Sequence, residues 1–147
     1  KLIFTLISEG EAVSTLVNGP ELNKAFKKAL GITDQSYFDD PLKQISTAGT
    51  FYPDLNLIVG KNKCNNKITP ERTALISIPD SDAPVYLGSY RDSYDAWDTF
   101  CIWSPATKIV FPEDISYMFA GLTGTTKEMG FIFRDDRDIN MLDFSQN

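Results

Sequence analysis

Only one long stretch of the chain places its apolar residues at helical spacing: Leu22, Ala25, Phe26, Ala29 and Leu30, a stripe with a period of about 3.6 residues. The flanking residues agree with it. Asn18-Gly19-Pro20-Glu21 reads as a helix start, with Asn or Gly as the cap, Pro in the first helical position and an acidic residue at the positive end of the dipole. Gly31 supplies the stop. The spacing therefore predicts a helix from Glu21 to Leu30 whose apolar stripe packs on a sheet. Lys24, Lys27 and Lys28 are expected on its solvated face and C-terminal turn.

Elsewhere the apolar runs are short and separated by turn residues. From Thr33 to Asn66 the chain is punctuated by Asp39-Asp40-Pro41, Gly49, Tyr52-Pro53-Asp54, Gly60 and Asn65-Asn66, around a run from Leu55 to Val59. Thr73 to Ile78 is a second strand candidate, closed by the Asp-rich turn Pro79-Asp80-Ser81-Asp82. Val85-Tyr86-Leu87 and Asp98 to Trp103 read as arms of a β-hairpin or meander joined through the polar stretch Ser89 to Asp95. In the second arm Phe100 and Ile102 point one way while Thr99, Cys101 and Trp103 point the other, so both faces are apolar enough for burial. Lys108 to Phe111, Phe131 to Phe133 and Met141 to Phe144 are further extended runs. Ile115 to Leu122 reads as a short helical turn, capped by Ser116 or Asp114 and ended by Gly121 or Gly124. The opening Lys1 to Ile7 suits a buried first strand. This pattern implies an α+β fold of mostly short antiparallel strands with one N-terminal helix. It divides into a region 1–82 and a region 83–147 that together suit one compact domain at 147 residues.

Composition narrows the function classes. Twenty acidic residues against 14 basic ones give a net charge of −6, and no continuous basic face is offered to phosphates, so no nucleic-acid partner is expected. Histidine is absent, which removes the commonest general base, the commonest transition-metal ligand and the Ser-His and Cys-His nucleophile pairings. No run of about 18 apolar residues is present, so no membrane-spanning helix is expected. Cys64 and Cys101 form no C-x-x-C pair, which argues against a structural zinc or thioredoxin-like site. Two readings of them stay open: a disulfide in an exported protein, or two buried free thiols. The absent initiator Met, and an end at Ser145-Gln146-Asn147 just after an apolar run, suggest a piece of a longer protein.

Ser81-Asp82-Ala-Pro-Val-Tyr86, an aromatic hairpin ending in Ile102-Trp103, Ala106 to Asp114 and then Ile115-Ser-Tyr-Met-Phe-Ala-Gly-Leu122 together resemble the lead-in to BspA-like leucine-rich repeat surface proteins. Met141-Leu-Asp-Phe-Ser145 is similar to the Leu-Asp-x-Ser step of that repeat. The resemblance covers roughly 60 of the 147 residues and implies that 83–147 is a hairpin followed by a first leucine-rich-repeat-like unit, a cap whose apolar face needs a neighbour to cover it. Met118, Phe119, Leu142 and Phe144 are then expected to be covered by the N-terminal region or by a following repeat. The implied protein is extracellular, on a cell surface, and binds a host, matrix or neighbouring-cell protein or glycan without catalysis or cofactor. Self-association through the C-terminal edge is a further expectation.

Candidate ligand contacts are Tyr90, Tyr94 and Trp97 on the presumed hairpin loop, since exposed aromatic rings are what protein and carbohydrate ligands stack upon; core packing is the competing account, as it is for Tyr86 and Trp103. Asp92, Asp95 and Asp98, and separately Asp135, Asp136 and Asp138, offer hard oxygen ligands of the kind Ca²⁺ takes. Neither set has EF-hand spacing, and solvated turn carboxylates explain both. Two other function classes stay open: a glycan-acting enzyme using a carboxylate pair from Asp92, Asp95, Asp98, Glu113 and Asp114, and a subunit of a surface filament.

Overall fold

Helix formation begins at Asn18, which stays extended while its side-chain oxygen accepts the Glu21 N–H at 3.0 Å. That bond satisfies one of the donors a first turn leaves unpaired. In the computed structural model, which describes residues 10–45, 54–91, 98–122, 130–135 and 141–147, with backbone alone for 54–56, 98 and 130–135, helix α1 then runs Gly19–Ala29. Leu22, Ala25, Phe26 and Ala29 are buried as the stripe requires, and Gly31 leaves the helix at φ +83°, the left-handed conformation that glycine adopts without strain. The last carbonyls are not left to solvent. Ala29 O accepts from Arg72 Nε at 3.1 Å and from Ser89 Oγ at 2.6 Å, which ties the helix end to the 3₁₀ turn Pro70–Arg72 and to the sheet beyond it.

Lys27 corrects the expected solvated face. Its side chain is fully buried, with Nζ donating to Tyr37 O at 2.8 Å and Pro41 O at 3.1 Å. Periodicity located the apolar stripe, but the chain after the helix folds back beside it and presents carbonyls to the ammonium. That returning segment contains a second, unexpected helix, α2 (Ser36–Asp39). It opens with Asp34 accepting the Ser36 N–H and hydroxyl, local bonding typical of a short turn.

Two sheets complete the mixed α+β architecture. The five-stranded sheet has the order β3–β4–β5–β2–β7, from β2 (Asp54–Gly60), β3 (Thr73–Leu75), β4 (Tyr86–Arg91), β5 (Asp98–Trp103) and β7 (Gly130–Asp135). The three-stranded sheet has the order β1–β6–β8, from β1 (Val13–Thr15), β6 (Lys108–Val110) and β8 (Leu142–Asp143). An antiparallel bridge from Leu16 to Ser77 links the two sheets. The expectation of mostly antiparallel strands fails: β3–β4 and β4–β5 are antiparallel, whereas β1–β6, β2–β5, β2–β7 and β6–β8 are parallel. Alternation within a strand reports which residues share a face and says nothing of the direction of the neighbour.

The β4–β5 hairpin forms, but β4 continues through Ser89, Tyr90 and Arg91, residues expected in the connecting loop. Tyr86 lies opposite Trp103 and Tyr90 opposite Thr99. On one face, Phe100 meets Phe26 of α1 edge to face, centroids 4.8 Å apart. On the other, Cys101 and Gly88 lie under the segment after β2, where a Cβ on Gly88 would meet Ile68 at 2.7 Å. The Cys101 face is thus closed by residues 61–69, and β5 is buried on both sides as its apolar pattern demands.

One core unites the regions on either side of Asp82, joining Leu22 and Phe26 to Ile102, Met118, Leu122 and Met141. Among the described residues nothing has the form of a leucine-rich-repeat cap or solenoid. Between β6 and β8 the chain leaves the three-stranded sheet and contributes β7 to the other, so these strands are not successive turns of one coil. The expected first strand, Lys1 to Ile7, lies outside the described residues.

Candidate functional site

The segment carrying the family resemblance, Ser116 to Leu122, is not helical. It is a chain of tight turns: Met118 N–H donates to Ile115 O, Ala120 N–H to Tyr117 O and Leu122 N–H to Phe119 O, each spanning three residues as in a 3₁₀ turn. Asp114 opens it by accepting the Ser116 hydroxyl and N–H, bonds that hold its carboxyl below the ordinary range. Tyr117 takes a left-handed φ of 61° and is 53% exposed, a conformation costly for a residue with a bulky Cβ.

Helix α1 holds this segment. Gly19 N–H donates to Asp114 O at 2.8 Å, and a Cβ on Gly19 would collide with the Ile115–Ser116 backbone. One turn on, buried Asn23 donates from Nδ2 to Ala120 O at 2.8 Å and Met118 O at 3.3 Å. Another turn on, Lys27 holds the Tyr37–Pro41 carbonyls. The two returning segments meet at Gly121, whose φ of +74° and closeness to Lys43 O and Pro41 O leave no room for a side chain. Burial strips hydration from the Lys27 ammonium and lowers its pKa from 10.5, while the Asp40 charge works against that fall. Sequence reading missed Asn23 and Lys27 as anchors. The available signal was their i, i+4 spacing beside Leu22 and Phe26.

Of the expected ligand contacts, Tyr90 sits half-buried on β4, and Tyr94 and Trp97 lie outside the described residues. So do Asp92, Asp95, Asp136 and Asp138; Asp98 and Asp135 are described as backbone on β5 and β7. Tyr86 and Trp103 stack on one another at 5.6 Å. Glu113 and Asp114 are exposed neighbours at the surface. Among the described residues, no group of three or more His, Cys, Asp or Glu side chains could hold a metal ion, and no helix is long and apolar enough to cross a membrane.

Cys64 and Cys101 are joined in a disulfide with Cα atoms 6.2 Å apart, within the span such a bridge requires. It clamps the 61–69 segment across β5. Lys61 Nζ adds a bond to Ala106 O at 2.6 Å, and Lys63 Nζ one to Ile68 O at 3.3 Å.

The C-terminal edge behaves differently. Met118 is buried and Phe119 packs at 5.4 Å on Phe26, so the N-terminal helix covers that part of the apolar face. Phe144 stacks on Phe111 at 4.1 Å yet remains 45% exposed, and Leu142 is half-buried on the outer strand of the parallel sheet. Behind them lies a cavity of about 240 Å³ whose described lining, including Leu16, Leu22, Leu57, Phe111, Leu142 and Phe144, is apolar. Lys108 reaches Asp143 at 3.9 Å, and Asp143 accepts the Ser145 N–H at 2.8 Å. Such an edge can take up apolar side chains or pair a further strand. Comparison with protein-family models, with curated proteins and with solved structures found no match to this chain.

Proposed function

We propose that this chain is a non-enzymatic module of an extracellular surface protein, serving adhesion through a protein or glycan ligand and standing at the head of a repeat array. The observation that carries the reading is the Cys64–Cys101 disulfide, because such bridges persist in oxidising, extracytoplasmic settings. Its placement at the buried centre of β5 makes it part of the fold rather than an exposed reactive thiol pair. The repeat-array part rests on the sequence resemblance. The geometry that supports it is an outer parallel strand, β8, beside half-exposed Phe144, the surface that an added parallel strand would need.

The test uses the whole chain, exported and purified without reductant. Two protected thiols by mass spectrometry and saturable binding on arrays of matrix proteins and glycans are the expected results. Two free thiols in the exported protein, or glycan cleavage in place of binding, would overturn the proposal.

A further inference from the structure

We draw no further inference here: the strongest candidate, the apolar cavity between helix α1 and the two sheets, opens at the Leu142–Phe144 edge already assigned to repeat docking, and nothing in the structure shows what else covers it.

Discussion

The two sheets are built from similar short strands but hold themselves together in different ways. In the five-stranded sheet, Leu87, Phe100, Cys101 and Ile102 are at most 2% exposed. A local hairpin sets the register there, α1 covers one face and a disulfide-clamped segment covers the other. The three-stranded sheet draws strands of two or three residues from distant parts of the chain. It depends on neighbours: Val13 N–H on the Asp82 carboxylate, Thr15 N–H on Ser81 Oγ, and Phe111 N–H on Asp143 O. Phe144, just past its outer strand, is 45% exposed beside the apolar cavity, whereas the larger sheet exposes Leu75 only at the end of its edge strand β3. A sheet closed on both faces has its stability inside it, whereas an open parallel edge has capacity left for a partner.

Substitutions can break or sharpen that contrast. Phe100→Ala should cost about 3–5 kcal/mol in denaturant unfolding, whereas Phe144→Ala at the open edge should cost about 1 kcal/mol; equal costs would mean the edge is as closed as the centre. Opening the disulfide by reduction or by Cys64→Ser should remove about 2–4 kcal/mol, seen as a lower denaturant midpoint, with hydrogen exchange rising first in residues 61–69 and β5. Protection lost first in β6 and β8 would contradict the division of labour. At the junction of the two returning segments, Gly121→Ala adds a Cβ at 2.5 Å from Lys43 O and 2.8 Å from Pro41 O at a positive φ, and a loss of about 2 kcal/mol is expected. The smallest effect is a pH dependence at Lys27. Its folded pKa lies below the ordinary 10.5, so the unfolded chain holds that proton more tightly. Stability should therefore rise with pH between the lowered folded value and 10.5, and fall back as pH drops through that window. Lys27→Met should flatten that rise in urea-unfolding curves collected across the window; an unchanged slope would assign it to another group.

Much of the local structure was legible in advance. The Asn18 cap, the stripe from Leu22 to Ala29, the Gly31 stop and the extended runs that became β4 and β5 all follow from short-range rules, because caps, turns and alternation involve residues a few positions apart. Asn23 and Lys27 were not legible as anchors. Their partners are carbonyls of Met118, Ala120, Tyr37 and Pro41, and a backbone carbonyl leaves no mark in a sequence. The parallel pairing of β2 with β5 was hidden for the same reason: Leu57 meets Phe100 and Ile58 meets Cys101 across more than forty intervening positions. Of the candidate binding trio only Tyr90 falls among the described residues, and the register with Thr99 moved it from an expected loop to a strand.

By itself, then, the sequence determined where the helix starts and stops, most of the segments that extend, though not β1 or the end of β4, and that Cys64 and Cys101 were available either to each other or as free thiols. Tertiary structure alone decided that they bond, because only the placement of residues 61–69 over β5 brings their Cα atoms to 6.2 Å. It likewise decided that four pairings run parallel, and that Ser116 to Leu122 is a string of turns seated on α1. Local chemistry selects conformations of neighbouring residues. Burial and long-range hydrogen bonding select which distant segments share a core, and those terms exist only once the chain has closed on itself.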